Sequence, residues 1–110
     1  MLVSGIIFCT SSCEKDTRDY ELTVIVTVYD SVKVQNALVH VFADTQGSFV
    51  DYYNYTSEEG ETHYKFDNKV IVEIEAGKSG FKACGFAEVD RGENVIRIDL
   101  KPYTDPHNGC

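Results

Sequence analysis

A two-residue alternation of apolar and polar side chains constrains this chain more than any other feature, and it runs from Leu22 to Leu100. In residues 22–29, LTVIVTVY, one face would carry Leu and three Val, and the other would carry the threonines, Ile and Tyr. Successive side chains of a strand point to opposite faces of a sheet. This period therefore predicts a strand with one face in the core.

Turn-forming residues divide the rest of the alternating region into six further strands. They are predicted at residues 37–43, 49–55, 62–66, 69–75, 81–89 and 94–100. The inner face is expected to hold Ala37, Val39, Val41, Ala43, Val70, Val72 and Ile74, with Glu73 and Glu75 outside. We expect residues 56–61 to close a hairpin between the third and fourth strands, and residues 67–68 to close the next one. Seven strands with a turn roughly every ten residues predict an all-β fold, a seven-stranded antiparallel sandwich of the immunoglobulin-like kind.

The order of several short segments resembles the carboxypeptidase regulatory-like family. These segments are NALVHV at 36–41, TSEEGE at 56–61, AGKSGF at 76–81 and IDL at 98–100. The resemblance covers residues 22–100 and implies a transthyretin-like, or prealbumin-like, seven-stranded sandwich. Relatives with this domain serve as modules on surface proteins and outer-membrane transporters. The resemblance therefore implies binding or scaffolding, and it carries no catalytic residue to this chain.

The charge balance of the chain excludes several classes of partner. Its 110 residues have room for one domain with a modest core. They include 10 Lys and Arg against 18 Asp and Glu, for a formal net charge of -8. Such an excess of negative charge repels polyphosphate and anionic lipid headgroups. We therefore expect no nucleic-acid partner, and attachment to a membrane would have to come from a covalent lipid.

The first residues resemble the signal peptide and lipobox of a bacterial lipoprotein. Residues 8–16, FCTSSCEKD, run from an apolar residue through small residues to Cys13 and then to charge. The preceding residues 2–8, LVSGIIF, are fewer than the about 20 apolar residues of a membrane-spanning helix and suit the apolar part of a signal peptide. The resemblance implies cleavage before Cys13, diacylglycerol on its thiol and an acyl chain on its amine. No basic residue follows Met1, which departs from the pattern, and an unprocessed N-terminus is the alternative.

These observations predict four segments along the chain. They are a lipoprotein signal peptide at 1–12, the lipidated cysteine and a linker at 13–21, a β-sandwich domain at 22–101 and a C-terminal tail at 102–110. Residues 14–16, EKD, resemble the short acidic signal that sends lipoproteins to the cell surface in some gram-negative bacteria, although an ordinary exposed linker has the same composition. We therefore expect a lipid-anchored protein of the outer membrane, facing the cell surface or the periplasm. Its expected partner is an outer-membrane or surface protein.

The four cysteines divide into two pairs. Cys9 would leave with the signal peptide and Cys13 would carry lipid, which leaves Cys84 and Cys110. In an oxidising compartment these two could form a disulfide. Cys84 alternates onto the outward face of its strand with Lys82, so a bridge would pin the C-terminal tail to that strand. Free thiols are the alternative.

Residues 49–55, FVDYYNY, hold the densest group of aromatic side chains. If Phe49 points into the core, Tyr53 and Tyr55 share its face and Tyr52 points outward, whereas the reversed register exposes Tyr53 and Tyr55. Exposed aromatic rings can stack on sugars or anchor a protein partner. Tyr52, or Tyr53 with Tyr55, is therefore the candidate binding patch.

The histidines and the acidic turn do not predict a catalytic or metal site. The hydroxyisourate hydrolases, the enzymes of the wider transthyretin-like fold, use histidines, an arginine and a C-terminal Tyr-Arg-Gly-Ser tail, whereas this chain ends in HNGC, residues 107–110. His40 and His63 lie on different predicted strands, and the spacing of the three histidines matches no local metal motif. The turn EEGE, residues 58–61, lacks the alternating Asp and Asn ligands of calcium loops, and a solvated turn explains it.

The sequence thus predicts a protein that is not an enzyme, with no metal and no cofactor beyond the lipid on Cys13. We expect a membrane-anchored lipoprotein that serves as an interaction or accessory module of a larger cell-envelope complex. The alternative is a carbohydrate-binding surface module that uses the tyrosine-rich segment 49–55.

Overall fold

The computed structural model of the protein describes residues 19–43 and 50–110, and all of its regular structure is β. Within these residues the strands are β1 (Tyr20–Val28), β2 (Val32–Lys33), β3 (Leu38–Phe42), β4 (Asp51–Tyr55), β5 (Glu61–Phe66), β6 (Val70–Lys78), β7 (Phe81–Val89) and β8 (Gly92–Pro102). The prediction of an all-β fold is confirmed, and each of the seven predicted strands has a counterpart. β2 has two residues, too few to show a period, and the sequence does not predict it. Residues 1–12, Cys13 and Phe49 lie outside the described residues.

The core lies on the face that the alternation predicts. Leu22, Val24 and Val26 are buried on one face of β1, while Thr23 and Ile25 on the other face are partly exposed. The two β6 glutamates that were expected outside are exposed. The apolar core consists of Leu22, Val24, Val26, Ala37, Val39, Val41, Tyr64, Phe66, Val72, Ile74, Ala76, Ala83, Val89, Ile98 and Leu100. Each large apolar side chain buried there contributes about 1.5–3 kcal/mol, so this core is the main source of stability.

The strands form one mixed sheet in the order β2-β1-β8-β7-β6-β3-β4, and β5 pairs with β1 beside β2. In one half, β1 pairs with β8 on one edge and with β5 and then β2 on the other. In the other half, β6 pairs with β7 and β3, and β3 pairs with β4. The halves join where Phe81 and Lys82 of β7 pair with Pro102 and Lys101 of β8.

The sheet curls strongly into a half-barrel around the core, and it does not divide clearly into the two sheets of a sandwich. The predicted seven-stranded antiparallel arrangement is also corrected by a parallel pair. β1 and β8 run parallel over nine residue pairs, from Tyr20 with Gly92 to Val28 with Leu100. Alternation reports which face a side chain occupies but not which strand lies beside it, so this pairing of distant strands leaves no sign in the period.

The two predicted hairpins around β5 are wrong. β4 pairs with β3, and β5 pairs with β1, so residues 56–60 carry the chain from one half of the sheet to the other. The buried Thr56 fixes the start of this crossing. Its hydroxyl donates to the Val34 carbonyl oxygen at 2.6 Å and accepts from the Ala37 N–H at 2.8 Å. These bonds satisfy backbone groups whose burial without partners would destabilise the fold.

The layer β4-β3-β6-β7 turns its inner face to the core and its outer face to solvent. The outer face carries the side chains that alternate with the core positions, and the C-terminal tail folds against it. This face holds the candidate site. Within the described ranges there is no helix long and apolar enough to cross a bilayer.

Candidate functional site

One row of side chains crosses the outer face of the layer. His40 on β3 lies opposite Tyr53 on β4 and opposite Glu75 on β6, and Glu75 lies opposite Cys84 on β7. Residues at paired positions share a face of the sheet, so these side chains form a continuous row from β4 to β7. The row continues into the C-terminal tail through the disulfide between Cys84 and Cys110.

His40 is held in the middle of this row by four neighbours. Its ring stacks on that of Tyr53, with centroids 4.1 Å apart, and on that of Phe42, at 4.4 Å. Its Nε2 lies 2.6 Å from Asp51 Oδ1, and its Nδ1 lies 3.4 Å from Glu75 Oε1. Only 18% of its side chain is exposed, so the imidazole forms a fixed part of the surface.

A second row lies beside the first, nearer to the turn between β6 and β7. Leu38 on β3 pairs with Gly77 on β6, and Gly77 pairs with Lys82 on β7. Because Gly77 carries no side chain, the row has a gap between Leu38 and Lys82. An added Cβ at Gly77 would meet the Phe81 carbonyl oxygen at 3.4 Å, an ordinary contact. The gap is therefore open space on the outer face.

The C-terminal tail, residues 103–110, folds back along β7. The Tyr103 N–H donates to the Gly80 carbonyl oxygen at 3.0 Å, and the Cys84 N–H donates to the Asn108 carbonyl oxygen at 2.9 Å. Asn108 is buried, and the disulfide from Cys84 holds Cys110. The structure thus contains the disulfide that the sequence suggested, and this bond pins the tail to β7.

A cleft of about 560 Å³ lies between the tail and the two rows. Residues of both rows line it, including Tyr53 on β4, together with Tyr103 from the tail and Lys78 from the end of β6. The volume falls within the about 300–1,000 Å³ that is typical of small-molecule sites. Tyr53 and Tyr103 are both 60% exposed, so each can present its ring to a ligand.

Two lysines line the cleft of this acidic protein. The Lys78 ammonium donates to the Gln35 carbonyl oxygen. The Lys82 Nζ lies 5.2 Å from the ring centroid of Tyr103, within reach of a cation–π interaction. Among the residues that the structure describes, neither ammonium group is paired with a carboxylate. The carboxylate of Glu75 also lines the cleft, and the register places Lys78 on the opposite face of β6 from Gly77 and Lys82.

The register separates the three tyrosines of the predicted patch. Tyr53 and Tyr55 point away from the core and are exposed, and Tyr53 reaches the cleft. Tyr52 points to the opposite face, where its ring lies 5.8 Å from that of Tyr64 and 6.1 Å from that of Phe66. The observed register is thus the reversed one, in which Tyr53 and Tyr55 share the outer face. A binding role for these tyrosines stays a prediction.

The remaining residues considered from the sequence lie elsewhere. Cys13 is outside the described residues, so its lipidation stays a prediction. His63 on β5 bonds Thr23 Oγ1 through Nδ1 at 3.0 Å and lies 3.3 Å from Glu61, and none of these neighbours contacts His40. In the described part of the chain, no three His, Cys, Asp or Glu side chains are close enough together to hold a metal ion.

Lys78, Lys82 and Tyr103 are site residues that the sequence does not identify. The two-residue period of β7 places Lys82 beside Cys84 on the outward face. The sequence therefore did contain a signal for Lys82. Tyr103 follows the last strand, and only the attachment of the tail to β7 brings it over Lys82. The signal for Tyr103 was therefore the same pair of cysteines that suggested the disulfide.

Comparison with known proteins bears on the fold alone. No family model matches the chain, and no curated protein sequence matches it. A similar solved structure is that of the Bacillus anthracis TIE protein, with a TM-score of 0.61 and 14% sequence identity. The match covers 77% of this chain but 17% of that one. The likeness therefore shows a small all-β domain that resembles one segment of a longer protein.

Proposed function

We propose that the chain is a non-enzymatic lipoprotein whose β domain binds another component of the cell envelope through the outer-face cleft. The observation that carries the proposal is the cleft itself, which has exposed aromatic rings on two sides and a wall held by a disulfide. A concave surface that is rigid before binding loses little conformational entropy on binding. The domain is therefore suited to serve as an interaction or accessory module of a larger envelope complex.

Lipid on Cys13 would hold this module at the outer membrane, facing the cell surface or the periplasm. Residues 14–19 separate Cys13 from β1, and at about 3.3 Å for each extended residue they reach only about 20 Å. The domain would then lie close to the bilayer, where its negative charge disfavours contact with anionic headgroups. This arrangement supports a partner in the same membrane.

Metabolic labelling with a palmitate analogue tests the anchor. We expect label on the wild-type chain and on the Cys9→Ser variant, because Cys9 is removed with the signal peptide, and no label on Cys13→Ser. Wild-type protein without label would contradict the proposal, as would label that persists in Cys13→Ser.

The second candidate function is carbohydrate binding by the tyrosine-rich segment. Tyr53 and Tyr103 line the cleft from β4 and from the tail, and Tyr55 is exposed on the same face as Tyr53. Aromatic faces of this kind can stack on sugar rings.

A glycan array with matched tyrosine variants tests carbohydrate binding. We expect Tyr53→Ala to lose glycan binding. Tyr29→Ala should keep it, because Tyr29 is 73% exposed but does not line the cleft. A wild-type chain that binds no glycan at millimolar sugar would remove this candidate.

We infer further that the domain is a two-layer sandwich related to the carboxypeptidase regulatory-like family. The quoted segments support the relationship, and the two halves of the sheet share one core and meet at the short β7–β8 pairing. A crystal structure is the test. An opened β7–β8 junction between two separate layers would favour the sandwich, and a continuous curled sheet would count against it.

A further inference from the structure

We propose that two copies of this chain pair through the open edge of β4, antiparallel, with Tyr53 of one copy opposite Tyr53 of the other. The inference goes beyond the proposed function, because the pairing needs no ligand in the cleft. It depends on the direction of the backbone groups of β4, on the side chains of that strand and on the register in which the strand can meet itself.

The backbone groups of alternate β4 residues face away from the sheet. The Thr56 N–H donates to the Ala37 carbonyl oxygen at 2.9 Å, and the Thr56 carbonyl oxygen accepts from the Asn36 N–H at 3.0 Å. At the other end of the strand, the Val50 carbonyl oxygen accepts from the Ala43 N–H at 3.1 Å. Successive residues of a strand direct these groups to opposite edges, so the even-numbered residues of β4 also face β3. The residues whose N–H and carbonyl groups point outward, with no strand of the described residues beside them, are Asp51, Tyr53 and Tyr55.

The side chains of β4 do not protect this edge. Natural sheets guard exposed edges with charged side chains, above all lysine, or with proline. β5, which also ends its half of the sheet, carries Glu61 and Lys65. β4 has no Lys, Arg or Pro, its one charged residue is Asp51, and all of its residues are exposed. Tyr53 and Tyr55 are 60% and 67% exposed, and tyrosine favours strands. β4 can therefore accept another strand.

The three outward-facing residues determine the register of the pairing. Facing residues of this kind exchange two hydrogen bonds in an antiparallel pair. With Tyr53 opposite Tyr53, Asp51 of each copy lies opposite Tyr55 of the other, so all three positions exchange bonds. A shift by two residues leaves one outward-facing residue of each copy without a partner in β4. The symmetric register also keeps the two Asp51 carboxylates apart, and like charges directly opposite each other would destabilise the pair.

The contact is small, so the dimer should be weak and reversible. β4 contributes 5 residues from each copy, compared with about 20–30 on each side of a stable interface. Each copy also has a formal net charge of -8. We expect a Kd on the order of 100 µM. Association should strengthen as the salt concentration rises, because salt screens the repulsion between the two copies.

Sedimentation velocity and amide hydrogen exchange test the pairing. The sample is the full chain with Cys13→Ser, so that no lipid brings two copies together, at about 10 µM to about 1 mM. We expect a dimer to form in this range. Exchange of the Tyr53 and Tyr55 amides should slow as the protein concentration rises, because these N–H groups then donate to the second copy. Exchange of the Asn54 amide should not depend on concentration, because that N–H faces β3.

A proline at position 55 tests the backbone bonds. Tyr55→Pro removes an outward N–H that no described carbonyl oxygen accepts, and Tyr55→Thr is the matched control that loses the ring but keeps the N–H. The proline variant should dimerise at least about tenfold more weakly than the threonine variant. Its urea midpoint shows whether it is folded.

A charge at position 55 tests the register. Tyr55→Lys would face Asp51 of the second copy and should tighten the dimer about fivefold, whereas Tyr55→Glu should weaken it by a similar factor. Tyr29→Lys and Tyr29→Glu make the same changes in net charge at a position that is 73% exposed and lies outside β4. Equal effects at positions 55 and 29 would overturn the register.

Gly77→Leu separates this dimer from association through the cleft. Gly77 is not among the positive-φ residues, and its Cβ would make only an ordinary contact with Phe81. A leucine there would therefore fill the cleft while the sheet stays folded, and the dimer should be unchanged. Loss of the dimer in Gly77→Leu would mean that the cleft joins the two copies, which would overturn the pairing through β4.

The remaining outcomes also overturn the proposal. A chain that stays monomeric at about 1 mM would do so. If its Tyr53 and Tyr55 amides gained protection only with detergent-solubilised envelope, the edge would belong to a strand of another protein. A dimer that slows exchange on β5, or at Phe86 of β7, would use another edge. The palmitate and glycan tests of the proposed function do not depend on any of these results.

Discussion

Asp99 shows how one side chain ties β8 to the turn that follows β1. Its Oδ1 accepts hydrogen bonds from the Thr27 hydroxyl and the Asp30 N–H, both at 2.8 Å, and Lys101 Nζ lies 3.1 Å from its Oδ2. Asp30 has a φ of 66°, in the left-handed region that costs most residues about 1–2 kcal/mol. Burial alone would raise the pKa of Asp99, but these bonds and the lysine together lower it below the ordinary 3.8.

The lowered pKa of Asp99 predicts a pH-dependent contribution to stability. The ionised group stabilises the fold fully above the unfolded pKa of 3.8, and this stabilisation is lost as pH falls through the lower folded pKa. At pH 7, Asp99→Asn should therefore lower the free energy of unfolding by about 1–2 kcal/mol. Urea unfolding at several pH values measures this.

The pH dependence of the stability difference distinguishes the loss of the charged hydrogen bonds of Asp99 from a loss of its packing. The difference between wild type and Asp99→Asn should shrink as the pH falls below 3.8. Asp67→Asn, which changes an exposed carboxylate, should show no such difference. A gap between wild type and Asp99→Asn that is the same at low and neutral pH would contradict the assignment.

Gly109 and Gly80 allow the docking of the tail to be tested with a matched pair of substitutions. Both have a positive φ, 86° and 85°, so alanine costs about 1–2 kcal/mol of backbone strain at either position. A Cβ at Gly109 would also overlap the Cys84 carbonyl oxygen, whereas one at Gly80 would meet nothing within 4 Å. Gly109→Ala should therefore release the tail, and Gly80→Ala should leave it docked.

Hydrogen exchange of the Cys84 amide reads out this difference, because that N–H donates to Asn108 in the tail. Its protection should fall in Gly109→Ala and stay near the wild-type level in Gly80→Ala. Equal protection in the two variants would mean that the close contact at Gly109 does not hold the tail.

At the scale of elements, the tail depends on its attachment to β7 because it is not a strand of the sheet. The disulfide closes a loop with a sequence separation of 26 residues, which by chain entropy stabilises the fold on the order of 3 kcal/mol. It also fixes the side of the cleft that carries Tyr103 and Cys110. Folding stability and the shape of the site are therefore coupled through one bond.

Removal of the bridge should lower both stability and binding. We expect Cys110→Ser to reduce the free energy of unfolding by about 3 kcal/mol. It should also weaken the binding of any ligand in the cleft. A reductant should shift the urea midpoint of the wild type in the same direction and leave that of Cys110→Ser unchanged. A wild-type midpoint that does not respond to reductant would contradict a structural role for the bond.

At the scale of the whole molecule, the sequence predicted the faces of the strands better than their neighbours. The alternation of β1 and β6 gave the core positions, because burial on one face leaves a period of two. The parallel pairing of β1 with β8, and that of β5 with β1, had no local signal, because they join segments far apart in the chain. Site residues divide in the same way. Cys84, Cys110 and Tyr53 could be named, whereas Lys78 and Tyr103 enter the site only through the folded tail and turn.

The central claim is that the outer face of the β4-β3-β6-β7 layer is the binding surface of an envelope-anchored module. Site-specific photo-cross-linking in intact cells tests it most directly, with a photoreactive phenylalanine analogue at Tyr53 or at Val95. The two positions are 60% and 66% exposed, but Val95 lies on β8 in the other half of the sheet. We predict a cross-linked envelope component from position 53 that Gly77→Leu reduces, and none from position 95. Adducts of equal yield from both positions, or from position 95 alone, would contradict the account.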